Sequence, residues 1–242
     1  LTCHPMWTIQ STIAHLQSAN LTAKIDLAFP NQGLFDVNLN SNILPFAHTL
    51  AMQLSEPPTD ELEKQLSAYT RERDVIATYG KQANQVNHAE IMWRYITSSN
   101  ETPSSVGVEV VATLQTDELY QPTRLTSQTT LTCSNVFTYS PEGVWLDSET
   151  NSDTANAIAI LCHLNNGASY LEIAHPMDAQ MCTLDYNGES ARWEFLLLHQ
   201  ELEKGVIRRA RIQGWWCSEP LTQDAASELI VNLANSPLPL TT

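Results

Sequence analysis

From Leu21 the chain alternates: Leu21, Ala23, Ile25, Leu27 and Phe29 interleave with Thr22, Lys24, Asp26 and Ala28, the period of a strand with one buried face. Pro30, Asn31, Gln32 and Gly33 supply turn residues, and Phe35, Val37 and Leu39 then alternate with Asp36, Asn38 and Asn40, so the two runs predict a hairpin. Between Glu56 and Tyr69 the spacing changes. Thr59, following Pro57 and Pro58, is placed to cap a short helix with Leu62, Leu66 and Tyr69 on one stripe. From Arg73 strand patterns return in DVIATY, VNHAEIMWRYI, VGVEVVATL and the Thr-rich RLTSQTTLTC, parted by polar or Gly/Pro-bearing connectors.

The stretch SETNSDTAN, residues 148–156, reads as an acidic surface loop able to rim a site. Two hairpins are marked by their turns: AIAILCHL and SYLEIAH flank Asn166-Gly167, while CTLDY and RWEFLLLH flank Asn187-Gly188. GVIRRARIQGWW is a further strand. Thr222 then caps a helix carrying Ala225, Ala226, Leu229, Ile230 and Leu233 at helical spacing, stopped by Pro237 and Pro239. About a dozen strands, no internal repeat and no strand–helix alternation predict a mainly β protein. The expected architecture is one large antiparallel β-sandwich domain over 1–242, closed by a short C-terminal helix.

Composition narrows what such a sandwich meets. A hydrophobic fraction of 43% supports a sizeable core. Twelve Lys and Arg against 27 Asp and Glu leave a net charge of −15, which repels a phosphate backbone and an anionic membrane surface. Nucleic acid is excluded as an expected partner. No apolar run approaches the roughly 20 residues of a membrane-spanning helix. The chain starts at Leu1 without a basic stretch followed by an apolar core, implying a removed leader or a trimmed start. Cys3, Cys133, Cys162, Cys182 and Cys217 are odd in number and contain no C-x-x-C pair, so they read as small buried residues of a reducing, cytoplasmic compartment.

The chain has no glycine-rich phosphate loop, G-x-S-x-G elbow, H-E-x-x-H pair or EF-hand loop. No cofactor is implied. A metal site built from His88, His163 or His175 has no ligand spacing behind it, and none is expected. Chemistry must therefore come from residues assembled across the sheet. In VNHAEIMWRYI, alternation puts Ala89, Ile91, Trp93 and Tyr95 on one face and His88, Glu90, Met92 and Arg94 on the other. A His, a carboxylate and an Arg on one face can bond hydroxyls and exchange a proton, or simply form a solvated face tied by cross-strand ion pairs.

SYLEIAHPMD offers Glu172, His175 and Asp178, although period two sends Glu172 and His175 to opposite faces unless the strand bulges or ends before His175. In HQELEKGVIRRARIQGWW, four of the twelve basic residues fall within the eight positions from Lys204 to Arg211. Arg209 and Arg211 share one strand face and could grip a carboxylate or phosphate, or pair with acidic residues across the sheet. Trp215 and Trp216 point to opposite faces, so at least one of them, Trp215 in this reading, is either exposed as a stacking platform for the C–H face of a sugar or packed under the C-terminal helix.

YLEIAHP followed by LEKGVIRRARI resembles the terminal region of the galactose-mutarotase-like β-supersandwich proteins, particularly uncharacterised bacterial members, over roughly residues 70–240. VNHAE around His88 matches that family's N-H-x-Y/F phrase only in part. The resemblance implies a supersandwich whose concave sheet face binds a sugar, with a carboxylate as base and a histidine as acid at the ring oxygen. Glu172, His175 and His88 are residues of those types, with Arg94, Arg209, Arg211 and Trp215 as candidate substrate contacts. The expected function is recognition of a sugar or sugar acid, with acid/base proton transfer at the anomeric centre or ring as the enzymatic form of it. The alternative is a non-catalytic binding or scaffolding protein engaging a protein partner.

Overall fold

The structure is a computed structural model describing residues 6–44, 47–54, 66–80, 87–98, 105–148 and 154–237. Three antiparallel sheets account for it. The N-terminal sheet runs in sequence order from β1 (Trp7–Gln10) through β2 (Ile13–Gln17), β3 (Leu21–Asp26) and β4 (Phe35–Leu39) to β5 (Asn42–Ile43). A four-stranded sheet has the order β16 (Met181–Tyr186), β17 (Ser190–Glu203), β11 (Tyr120–Thr132), β6 (His48–Leu54). The large sheet has nine strands, in the order β13 (Trp145–Asp147), β12 (Asn135–Tyr139), β14 (Ala159–His163), β15 (Ser169–Ala174), β18 (Ile207–Cys217), β10 (Ser105–Thr116), β9 (Asn87–Thr97), β8 (Asp74–Tyr79), β7 (Leu66–Arg71).

One buried cluster draws on all three sheets: Trp7, Leu16 and Ile25 from the first, Met52, Leu131 and Phe195 from the second, Trp93, Val110, Tyr170 and Trp216 from the third. Each side chain of this kind contributes about 1.5–3 kcal/mol when fully buried. The alternation predicted for VNHAEIMWRYI is realised, with Ala89, Ile91, Trp93 and Tyr95 all in that core. On the opposite, outer face of the large sheet, a helix α1 (Gln223–Asn235) buries Ala226, Leu229, Ile230 and Leu233 against Leu161, Leu171, Ile173 and Trp215. The Thr222 hydroxyl caps it by accepting from Ala225 N at 3.2 Å, as its sequence predicts. No helix among the described residues is long and apolar enough to cross a membrane.

Both Asn-Gly hairpins form, β14 with β15 and β16 with β17. Their glycines, Gly167 and Gly188, have φ of 84° and 88°, whereas the preceding asparagines keep negative φ. The β3–β4 hairpin also forms, though its connection is a 3-10 turn over Pro30–Gln32 and not a tight loop. Gly33 follows at φ 71°, where an added Cβ would lie 2.5 Å from the Thr49 carbonyl oxygen. That close approach lets Leu34 pair with Thr49 and joins the first sheet to the second.

Two expectations are corrected. Eighteen strands are described where about a dozen are predicted, because β1, β2, β5, β6, β7, β12 and β13 span only two to seven residues each. Such segments are too short for period two to stand out, and their pairing partners impose the extended conformation. The helix read over 56–69 is not found at 66–69, the part of it that lies among the described residues. Leu66 and Tyr69 lie in β7, paired with Tyr79 and Ile76 of β8, so ladder formation overrides a local three-residue spacing. Residues 55–65, and residues 149–153 of the acidic stretch, lie outside the described residues.

Candidate functional site

Strand parity divides the expected site residues between the two faces of the large sheet. Glu172 points inward from β15 and is fully buried. Its Oε2 accepts hydrogen bonds from the Thr129 hydroxyl at 2.5 Å and the Tyr170 hydroxyl at 2.7 Å. Thr129 in turn accepts from Leu50 N at 3.0 Å, which ties β6, β11 and β15 together. Trp193 and Ser127 also face the carboxyl and favour its charged form, yet Glu172 Oε1, Trp193 Nε1 and Ser127 Oγ do not reach hydrogen-bonding geometry. Burial dominates, and it pushes the Glu172 pKa up to about 7 against these hydroxyl and indole donors.

Tyr170 fits beside Glu172 because β18 carries Gly214 as the ladder partner of Glu172. A Cβ on Gly214 would lie 2.6 Å from the Tyr170 hydroxyl and 3.0 Å from Leu50 Cδ1. Gly214→Ala is therefore expected to displace the tyrosine from the carboxyl and to cost about 1–3 kcal/mol. Urea unfolding measures the cost, and an unchanged midpoint would mean that the tyrosine moves aside freely.

His175 ends β15 on the other face. Met177 N donates to its Nδ1 at 3.3 Å, and the ring also faces the Ala234 backbone near the end of α1, which favours its protonated form. Burial and the Arg211 charge hold the His175 pKa below its usual value, while Asp178, whose Oδ2 lies 3.9 Å from Nδ1, opposes them. Arg211 is 1% exposed and faces the same helix end. Its Nη1 donates to Ser236 Oγ at 2.9 Å and the Pro237 carbonyl at 3.1 Å, and its Nη2 to the Ser236 carbonyl at 3.1 Å. The last turn of α1 contains no basic residue, so Arg211 supplies a cationic partner for its C-terminal end from the sheet.

Further along the outer face a polar row crosses four strands. Arg94 donates to both oxygens of Asp74, at 2.8 and 3.1 Å, and its Nη1 lies 3.9 Å from Glu109. Gln213 donates to Glu109 at 3.1 Å, and Trp215 Nε1 donates to Gln213 at 3.0 Å. Arg94 and Trp215 thus belong to one polar row that runs from Asp74 to Trp215, joined by hydrogen bonds except for the ion pair between Arg94 and Glu109. Trp215 is 6% exposed, so neither of the adjacent tryptophans is an open stacking platform. Its ring lies over Gly107, where a side chain would be 3.1 Å away. His88 pairs with the exposed Asp117 at 3.2 Å.

The convergence expected of His88, Arg94, Glu172 and His175 is not formed. Glu172 is inside the sandwich and the other three occupy separate outer-face environments, as backbone parity dictates when β15 runs without a bulge to Ala174. His175 and Arg211 do come together around Asp178, whose Oδ2 accepts from Arg211 N at 2.9 Å. Next to them lies a cleft of about 510 Å³ lined by Met177, Asp178, Gln180, Leu198, Gln200, Arg208 and Arg209, among others. It opens where β17 and β18 leave their connection and the 177–180 turn lies across them. Sequence reasoning found Arg209 and Asp178 but missed Gln180 and Gln200. No linear signal marks them, because three segments separated by some 20 and 10 residues meet only in the folded chain. Among the described residues no group of three or more His, Cys, Asp or Glu is placed to hold a metal ion, and His163 hydrogen-bonds the Leu221 carbonyl.

No protein-family model and no curated protein sequence matches the chain. Among solved structures, a galactose mutarotase-like protein from Lactobacillus casei ATCC 334 is similar with a TM-score of 0.58 at 9% identity, over 84% of this chain and 99% of that one. The Slr1438 protein from Synechocystis sp. PCC 6803 is similar with a TM-score of 0.51 at 8% identity, over 89% and 97%. The antiparallel sandwich with its C-terminal helix has the galactose-mutarotase-like fold that the sequence resemblance implies.

Proposed function

We propose that this chain recognises a carbohydrate, a sugar or sugar acid, in the cleft lined by Asp178, Gln180, Gln200, Arg208 and Arg209. The observation that carries the reading is the composition of that cleft. Sugar hydroxyls both donate and accept; the two amides answer in both senses, Asp178 accepts, and the guanidinium groups donate. Met177 and Leu198 offer apolar surface to the C–H face of a ring. In a chain of net charge −15, two adjacent arginines also provide a local site where an anionic sugar is not repelled.

Binding is favoured over proton transfer. Neither His175, whose Nδ1 accepts from Met177 N, nor Glu172 lines this cleft. A panel of aldoses and uronic acids titrated by NMR is expected to give at least one ligand with a Kd on the order of 1 mM or tighter. Arg208→Ala should weaken a uronic acid about tenfold and its neutral aldose much less. If no sugar perturbs the resonances of residues 177–180 and 207–209, the assignment fails. Acceleration of mutarotation in polarimetry would restore a catalytic role.

A protein partner is the second reading, and exposed apolar side chains favour it: Met177 at 87% and Ile207 at 50% border the cleft, with Leu119 at 73% on the β10–β11 turn at the same end of the sandwich.

A further inference from the structure

The outer face of the N-terminal sheet carries an open trough of about 560 Å³ that shares no lining residue with the cleft. Alternation sends Trp7, Ala14, Leu16, Ala23 and Ile25 into the core and leaves the polar positions of β1, β2 and β3 outside. His15 stands opposite Thr8 on one side and Lys24 on the other. In the next row Thr22 stands opposite Gln17 and Asn38.

A bulge completes this face. The β3–β4 register shifts between Thr22 and Lys24, which leaves Asp36 and Val37 opposite Ala23 alone, and Asp36 takes φ 49°. Asp36 thereby reaches Lys24, whose Nζ donates to its Oδ2 at 2.8 Å, and Asn38 Nδ2 donates to its carbonyl at 3.1 Å. The rest of the face is unengaged. Among the described residues, the side chains of Thr8, Gln10, His15, Gln17 and Thr22 make no hydrogen bond or ion pair, although cross-strand neighbours are within reach of one another. The polar faces of the other two sheets differ in this respect: Arg124 donates to Glu194 at 2.9 Å on the four-stranded sheet, and Arg94 to Asp74 at 2.8 Å on the large one.

We infer that this trough is a second binding surface, independent of the cleft, for a short neutral oligosaccharide. Hydroxyl groups that both donate and accept are answered by the amides of Gln10 and Gln17 and the hydroxyls of Thr8 and Thr22, which do the same. Ile43, 70% exposed, adds apolar surface for the C–H groups of a ring. Adjacent strands lie about 4.8 Å apart, so the polar positions from β1 to β4 spread over roughly 14 Å, wider than a single sugar ring. Charge selects the neutral form. Lys24 and Asp36 are the only Lys, Arg, Asp or Glu of the trough and neutralise one another, so no unpaired lysine or arginine holds an acid that the net charge of −15 repels.

The test titrates the full chain with maltotriose, cellotriose, mannotriose and xylotriose and follows the backbone amide resonances by NMR. At least one trisaccharide is expected to shift residues 8–10, 15–17, 22–24 and 36–38 in a saturable way, with a Kd on the order of 1 mM or tighter. Its monosaccharide and trigalacturonic acid should each bind about tenfold more weakly. Gln10→Ala combined with Gln17→Ala, two exposed positions without partners, should weaken the trisaccharide about tenfold and leave the urea midpoint unchanged. Arg208→Ala, which acts on the cleft, should leave it unchanged. The inference is overturned if none of the four trisaccharides moves these resonances, if the acid or the monosaccharide binds as tightly, if the double variant binds like the parent, or if Arg208→Ala removes the binding. A uronic acid that leaves residues 177–180 unmoved defeats the reading of the cleft and not this one.

Discussion

Glu172→Gln is expected to remove a pH dependence of stability that the parent shows between about pH 5 and 8. The folded carboxyl has its pKa raised from 4.5 to about 7 by burial, so the folded state holds a proton that the unfolded chain releases. The contribution is fully present below pH 4.5 and is lost as pH rises through 7. A shift from 4.5 to about 7 corresponds to roughly 3.5 kcal/mol in full, at about 1.4 kcal/mol per pH unit, of which the interval from pH 5 to pH 8 covers about 2.5 kcal/mol. Urea unfolding at pH 5 and pH 8 measures it directly. The parent should lose about that much more than the Glu172→Gln variant over the interval, and the variant should equal or exceed the parent at pH 8. The same slope in both proteins would mean that Glu172 is ionised throughout, its charge satisfied by Thr129, Tyr170 and their neighbours.

Arg211→Met should produce the next largest change, and it should be localised. Methionine keeps the apolar stem but removes every donor to Ser236 and Pro237. Loss of three bonds from a charged group is partly offset because the buried charge goes too, leaving a net destabilisation of about 2 kcal/mol. Hydrogen exchange should rise over residues 230–236, where α1 loses its C-terminal partners, and much less in the β9–β10 ladder. Arg211→Lys should rescue little, since an ammonium cannot fork between the two segments. Arg209→Met, on the same strand face but half-buried, is the control and should cost under about 1 kcal/mol. If exchange at α1 is unaltered in Arg211→Met, the sheet does not hold the helix end.

These residues also mark where sequence reading succeeds. The apolar faces of β3, β4 and β9, the two Asn-Gly hairpins and α1 with its Thr222 cap were legible because each is encoded within 5 to 15 consecutive positions: period two, a glycine at a left-handed position, period 3.6 with a capping hydroxyl. The opposite facing of Glu172 and His175 was legible in the same way, since a strand without a bulge alternates.

What those two residues do was not legible. Arg209 and Arg211 look alike in the sequence, yet one lines a cleft and the other closes a helix 25 residues away. Glu172 acquires its raised pKa only because β6, β11 and β17 cover it, and Leu66 and Tyr69 become strand only because β8 offers a ladder. The local pattern of side chains determined which face of each strand turns inward. Tertiary structure decided which buried groups meet, because burial, hydrogen-bond partners and dielectric environment belong to pairs of segments distant in the chain and to neither segment alone.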